Sequence, residues 1–452
     1  MSYSPLEFSS LLDQAHALQR SGHSAQALAL YQQLLAIDPH HVNTLHDCDT
    51  VIANLPDGIE TRVIRIAALH SLGQNAEALE DCEYVLSRKP YHVTTLANMG
   101  VVLHALGRYD EALDVFARAL AVDARNVEVL NSLAVTLQAV ERHTEALGVF
   151  RLALEQDPLH AKALTNDGLC RLRLGDFEAG LTRYEWRGLA SPSRVQPRMY
   201  SQKKRSGSEP LRGKTLLLHP EQRLGDTLQF CRYAPFLAER GAQVILEVQP
   251  PLKRLLTALA GVAEVIATGD PLPDFDLHCS LISLPLAFGT RLATIPAATP
   301  YLSADLALTK AWDQRLGKRS RLGAGVAWSG NPLHGNDHNR SRALEPLLQS
   351  LPDEIDLISA QKDIRESDRS AFDLLRSDGK PRIRQFGEFL KDFADTASLV
   401  AALDLVTSVD TSVAHLAGAM GKPLMILLSV ESDWRWLTDR SDSPWHPGAK
   451  LF

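Results

Sequence analysis

Three segments of this chain bring acids, hydroxyls, cations and glycines close together, in patterns suited to charged ligands. In HPEQRLGDTLQF (219–230), Gly225 lets the chain turn from a strand into a helix. Asp226 sits at or near the start of that helix, where aspartate is also an ordinary cap. In WSGNPLHGNDHNRSRAL (328–344), a loop of small and polar residues follows an apolar run, and Arg340 and Ser341 lead into the next helix, placed to serve a phosphate. In SVDTSVAHLAGAMGKP (408–423), Asp410, Thr411 and Ser412 open a helix and His415 lies one turn on, on the face of Thr411. Gly421 and Pro423 end that helix. A helix start carrying hydroxyls suits pyrophosphate, because its free N–H groups and dipole favour negative charge.

Other patterns read as structural. Asp274 and Asp276 form a D-x-D, but they stand at the start of an expected strand. His334, Asp337 and His338 have metal-ligating side chains within a loop, where hydrogen bonding is the simpler role. Gly323-Ala-Gly325 lacks the rest of a dinucleotide fingerprint, and Gly421-Lys422-Pro423 lacks the Ser or Thr of a phosphate-binding loop.

The elements that must hold these segments alternate strand and helix. KTLLLH (214–219), QVILEV (243–248) and EVIAT (264–268) read as strands, with a helix from about Asp226 to Arg240. The pattern restarts with LGAGVAW (322–328), IDLISA (355–360), DLVTSV (404–409) and PLMILL (423–428). Such repetition predicts two parallel sheets, as two Rossmann-like domains over 213–315 and 316–452. Ligands of such sheets bind at the carboxyl ends of the strands, where all three segments fall.

The first part of the chain is built differently. It holds none of the six tryptophans before residue 186 and only five of the 24 prolines, which reads as helical. Ala27, Ala78, Ala112, Ala146 and Gly180 follow one another at steps of 51, 34, 34 and 34 residues. Tyr31, Cys82, Phe116, Phe150 and Tyr184 come four residues after them, and turns fall at Gly22, Gly73, Gly107, Glu141 and Gly175. The long first step equals 34 plus 17, so residues 42–58 read as an inserted helix or half-repeat. This spacing resembles the tetratricopeptide repeat (TPR), an α-helical solenoid whose hairpins bury their apolar stripes only by stacking. It gives a TPR domain over 1–190, with Pro39, Pro90 and Pro158 ending the second helix of three hairpins, and a basic linker over 191–212. The repeat groove suits extended peptide. Asn98, Ser132 and Asn166 share one inward position, and in protein O-linked N-acetylglucosamine transferases asparagines at such a place hold the acceptor backbone.

Bulk properties narrow the class. Hydrophobic residues at 45% and charged residues at 22% fit a globular protein, and a formal charge of −7 gives no reason to expect nucleic acid as the main partner. The five cysteines are scattered without C-x-x-C pairs or zinc-ligand spacing, as in reduced cytoplasmic thiols. No signal-like start or membrane-length apolar run is present, so a soluble cytoplasmic protein is expected.

From residue 213 onward the chain resembles bacterial TPR-containing glycosyltransferases. The resemblance is carried by LLLHPEQRLGDTLQFCRYAPFLAERG, WSGNPLHGNDHNRSRALEPL, SAQKD, DFADTASLVAALDLVTSVDTSVAHLAGAMGKP and DWRWLTDRSDSPWHPGAKLF. The last three are also similar to heptosyltransferases, whose D-T-x-x-x-H-x-x-x-x-x-G-K-P segment binds the sugar nucleotide. The resemblance implies a GT-B fold with the donor mainly on the C-terminal domain, and a nucleotide-sugar co-substrate with no cofactor or obligatory metal. It implies Asp226 as catalytic base. Asn331, Arg340, Ser341, Lys362, Asp410, Thr411, Ser412 and His415 would bind the donor, and Asn98 and Asn166 the acceptor. Arg223 stands where the family usually has glycine, and a cation there could reach a donor phosphate. The expected function is transfer of sugar to Ser or Thr of a polypeptide, flagellin among the candidates. The alternatives are a non-catalytic TPR scaffold and a transferase for polysaccharide or lipid acceptors.

Overall fold

The computed structural model describes residues 5–37, 47, 50–51, 59–190, 200–332, 337–374, 379–430 and 432–452. The chain divides into two compact units, Met1–Cys170 with Arg183–Arg198, and Arg171–Thr182 with Met199–Phe452.

The first unit is a run of antiparallel helix pairs: Pro5–Arg20 with Ser24–Ile37, Ile59–Ser71 with Asn75–Arg88, Val93–Ala105 with Tyr109–Val122, and Val127–Ala139 with His143–Gln156. The small residues at the crossing, Ala27, Ala78, Ala112 and Ala146, are fully buried, and so are the Tyr31, Cys82 and Phe150 that follow them. Close approach is general here: a Cβ on Gly100 would run into the ring of Phe116. The turn glycines Gly73 and Gly107 take φ of 77° and 74°, and Glu141, the one non-glycine in that slot, is held at φ 60°. Buried Asp81 is matched by two cations, Arg62 at 2.5 Å and Arg65. Pro39 and nearly all of the expected insert at 42–58 lie outside the described residues.

The second unit contains two parallel sheets. The first has β1 (Lys203–Lys204), β2 (Thr215–His219), β3 (Gln243–Val248), β4 (Glu264–Ala267) and β5 (Leu277–Ser280), in the order β1-β5-β2-β3-β4. The second has β6 (Gly323–Ala327), β7 (Asp356–Ser359), β8 (Ile383–Arg384), β9 (Leu405–Val409), β10 (Leu424–Leu427) and β11 (Ala449–Leu451), in the order β11-β10-β9-β6-β7-β8. Every strand pair in both is parallel. Each sheet grows outward from its first long strand and then returns to that strand's other side. The switch points therefore lie between β2 and β5 and between β6 and β9.

The second sheet is covered on both faces, as the near-continuous apolar runs of parallel strands require. Leu357 faces a cluster with Leu344, Leu348 and Trp328, while its neighbour Ile358 faces Trp312, Leu316, Leu399 and Leu403. That alternation is the two-residue period of a strand. Helix Leu306–Leu316 supplies Trp312 and Leu316, so it packs on the second sheet although it precedes β6.

Two local readings change. The helix expected over 226–240 is Leu224–Phe230, a 3-10 turn at Cys231–Tyr233, and a second helix, Ala234–Glu239. Pro235 sits in the first turn of the last piece, where its missing N–H costs nothing, and it cannot continue a helix from upstream. Within the segment read as a linker, Lys203–Lys204 pair with β5, and Arg205 is buried 3.9 Å from Glu209. Residues 191–199 of that segment lie outside the described residues.

Candidate functional site

At the β2 end of the first sheet, the cap of helix Leu224–Phe230 is Arg223, and Asp226 occupies the third helical position. Its carboxylate reaches back to accept the Arg223 backbone N–H at 2.9 Å, satisfying one of the free donors of the helix start. The other carboxylate oxygen accepts from Arg435 Nη2. Arg435 is only 6% exposed and Asp226 13%. Arg435 Nη1 also bonds Asp433 at 2.7 Å, so one guanidinium serves two acids. Burial pushes the Asp433 carboxyl up, but the charge and hydrogen bonds of Arg435 outweigh it and hold that carboxyl below its ordinary range.

At the β9 end of the second sheet, Thr411 caps helix Ser412–Ala419 in an extended conformation, and Thr411 Oγ1 lies 3.0 Å from Ser408 Oγ. Its side chain makes no cap bond, which leaves the first N–H groups of this helix without that partner. His415 Nε2 faces Asp410 Oδ1 at 3.9 Å. The His415 ring stacks on Trp436, with centroids 5.2 Å apart and planes 15° apart, and its Nδ1 lies 3.4 Å from His446 Nε2. Burial, reinforced by Arg435, lowers the His415 imidazole to about 3, so it is neutral near pH 7. His446 is lowered too, by burial and by Arg232. The Asp410 carboxyl moves the other way: burial and the charge of Asp433 raise it to about 6.

Between these, the loop after β6 supplies a second cation set. Arg340 Nη1 donates to the Asp410 carbonyl at 3.2 Å, which joins the β6 and β9 ends across the switch point. Its Nε is buried with no hydrogen-bond partner among the described residues. Ser341 Oγ donates to Asp337 at 2.7 Å and accepts the Gly330 N–H at 3.0 Å. Arg365 Nη2 bonds the same Asp337 at 2.5 Å and the Gly330 carbonyl at 2.9 Å. Gly330 packs so closely on Arg340 that a Cβ there would run into the guanidinium. Gln361 fixes the start of the loop by accepting the N–H groups of Trp328 and Ser329 at 2.6 and 2.9 Å.

The structure thus brings together Asp226, Arg340, Ser341, Asp410, Thr411, Ser412 and His415 at the carboxyl ends of β2, β6 and β9. Asn331 and Lys362 are exposed, in the loops after β6 and β7, and the Arg223 side chain is exposed as well. In the first unit, Asn98, Ser132 and Asn166 are half-buried at one repeated position, and Asn166 donates to Asn131 at 3.0 Å.

Residue-type reasoning missed Arg435, Asp433, Trp436, Arg365, Arg232 and His446. Four of them stand in DWRWLTDRSDSPWHPGAKLF, where the D-W-R-W alternation at 433–436 is a local signal, and Asp433 does cap that turn by accepting the Arg435 N–H at 3.0 Å. The structural readings of the other motifs have concrete partners. Asp276 accepts from Thr215 N–H at 2.8 Å and Lys214 at 3.0 Å, tying the start of β5 to that of β2. Lys422 donates to the Ala401 and Leu403 carbonyls, both at 2.7 Å, which neutralises a helix C-terminus. His334 lies outside the described residues. Among the described residues there is no group of three or more His, Cys, Asp or Glu able to hold a metal ion, and no helix long and apolar enough to cross a membrane.

Two family models of the tetratricopeptide repeat match the chain, over residues 91–158 and 9–33. No curated protein matches it. Among solved structures, MamA (41-end) from Desulfovibrio magneticus RS-1 is 18% identical with a TM-score of 0.29, covering 41% of this chain and 96% of that one. YrrB, a TPR protein with an unusual peptide-binding site, is 21% identical with a TM-score of 0.26, over 40% of this chain and 85% of that one. A thermophilic TPR protein of Thermus thermophilus is 17% identical with a TM-score of 0.30, over 41% of this chain and 92% of that one. The N-terminal part of this chain carries tetratricopeptide repeats, a protein-interaction domain, followed by a region of parallel sheets.

Proposed function

We propose that the chain is a glycosyltransferase of GT-B type, moving a sugar from a nucleotide-sugar donor to Ser or Thr of a polypeptide recruited by the repeats. Flagellin is one candidate acceptor. The observation that supports this reading best is the meeting of the β6 and β9 ends: Arg340, with an unfilled Nε–H, lies on the Asp410 carbonyl beside the open start of helix Ser412–Ala419. Parallel sheets bind ligands at such switch points, and cations with a helix N-terminus favour phosphate. In this reading the acceptor oxygen attacks the sugar's anomeric carbon while its proton passes to Asp226. The bond from that carbon to the phosphate oxygen breaks, and the departing phosphate takes the electron pair and meets Arg340 and the helix N–H groups.

A thermal-shift panel of sugar nucleotides tests the donor half of this reading, because a true donor raises the melting temperature by mass action. At least one donor should do so in the wild type and fail to in Arg340→Met. A panel that leaves the wild type unmoved favours the second reading, a TPR scaffold without turnover. That reading draws on one feature: both oxygens of Asp226 are already engaged, by the Arg223 N–H and by Arg435.

A further inference from the structure

The pairing of Asp226 with Arg435 has no structural necessity that local sequence supplies. Asp226 belongs to the helix after β2, and Arg435 lies 209 residues later, in the turn Trp434–Trp436. Both are nearly buried, and the Arg435 guanidinium lies against Phe230 and Trp434, 5.1 and 4.9 Å from their ring centroids. A cation so held is expensive to leave uncompensated, and here it is compensated twice, by Asp226 and Asp433. Asp433 alone would suffice for one positive charge. Asp433 also holds the Arg435 backbone N–H from two residues away, whereas Asp226 comes from a distant segment, so the bond to Asp226 is the exchangeable one. Arg435 also acts electrostatically on Asp410 and His415, so its charge reaches the start of helix Ser412–Ala419.

We infer that Arg435 is a shared cation, bonded to Asp226 when the site is free and drawn toward the phosphates of a bound donor, which releases one oxygen of Asp226 for proton transfer. The inference rests on the nucleotide-sugar reading above and deepens it. Arg435 is here a positioning residue for Asp226 and an anion contact, and Asp433 is the tether that keeps it within reach of both. The arrangement couples the base to the donor: a carboxylate freed only when phosphate is present stays capped while the site is empty.

Competition between Asp226 and phosphate for one guanidinium gives a test that needs no turnover. Binding of inorganic pyrophosphate to the full chain is measured by calorimetry for the wild type, Asp226→Asn, Arg435→Lys, Arg435→Met and the double variant Asp226→Asn/Arg435→Met. Asp226→Asn removes the competing charge with little change of shape and should tighten pyrophosphate about tenfold. Arg435→Met should weaken it by a similar factor, Arg435→Lys should restore part of the loss, and the double variant should match Arg435→Met. If Asp226→Asn leaves affinity within twofold of the wild type, or if its gain survives in the double variant, Arg435 is not shared. Binding that depends on Arg340 but ignores Asp226 and Arg435 would keep the nucleotide reading and remove this inference. Pyrophosphate that binds neither the wild type nor Asp226→Asn removes both. Circular dichroism of each variant separates lost binding from lost fold, and the Asp226→Asn arm stands even if Arg435→Met fails to fold.

Discussion

A Cβ on Gly225 would come within 2.7 Å of His415 Cδ2, so the imidazole occupies room that only glycine leaves in the helix after β2. The same device is used again at Gly418, where a Cβ would run into the His446 ring. Two backbone sites without side chains thus seat two buried histidines next to each other, one of them facing Asp410.

Gly225→Ala should cost about 1–3 kcal/mol, the usual penalty for overpacking a filled site. Urea unfolding followed by tryptophan fluorescence reads it. Because the clash is with one ring, Gly225→Ala should be much less damaging on a His415→Ala background. Equal penalties on both backgrounds would show that the ring is not what the glycine accommodates.

Stability should fall as the pH drops below about 6.5. His415 and His446 are held neutral in the folded chain, whereas the unfolded chain protonates both at ordinary values. The unfolded state then binds more protons, so acid favours unfolding, by about 2 kcal/mol at pH 5 for His415, with His446 acting in the same direction. Asp410 has the opposite sign: its raised carboxyl holds a proton that the unfolded chain has lost, a contribution present at low pH and gone above about 6. Two histidines against one acid leave a net loss. Urea midpoints at pH 7.5 and 5.0 check this, and His446→Gln should flatten the difference by roughly the share of one histidine.

Binding of an anion beside Asp410 should itself depend on pH. An incoming phosphate disfavours the carboxylate, so binding takes up a proton there and tightens as pH falls from 7.5 toward 6. Calorimetry with pyrophosphate on Asp410→Asn should lose most of that dependence. An unchanged pH profile in Asp410→Asn would assign the dependence to another group.

Glu141 holds a left-handed conformation at the turn where the other hairpins of this unit use glycine. Replacing it by glycine removes a strain of about 1–2 kcal/mol, the greater freedom of glycine in the unfolded chain takes back about 0.4–1 kcal/mol, and the repeat unit should gain up to about 1 kcal/mol. A lower midpoint in the repeat transition for Glu141→Gly would contradict this.

The repeat turns were legible in the sequence, Glu141 included, because the 34-residue phase fixes each slot whatever fills it. The long strands were legible because burial on both faces demands apolar runs, as in TLLLH of β2 and QVILEV of β3. β1 was not, since Lys203 and Lys204 are exposed charges whose backbone pairs with β5. β8, two residues long at the sheet's edge, carries too little pattern to find. In the site, Asp226, Arg340 and the Asp410–His415 turn were legible as residues at strand ends. Their partners Arg435, Asp433 and Arg365 were not, because those pairings arise only when distant segments meet in the fold.

Transfer itself is tested most directly by nucleotide release. The full chain is incubated with each of a panel of sugar nucleotides, with and without a mixture of unmodified polypeptides, and free nucleotide is quantified beside the intact masses of the polypeptides. A glycosyltransferase should give polypeptide-dependent release from at least one donor, a matching mass increase on a polypeptide, and a loss of about 100-fold or more in Asp226→Asn. No donor consumed under any condition, or turnover unchanged in Asp226→Asn, would contradict it.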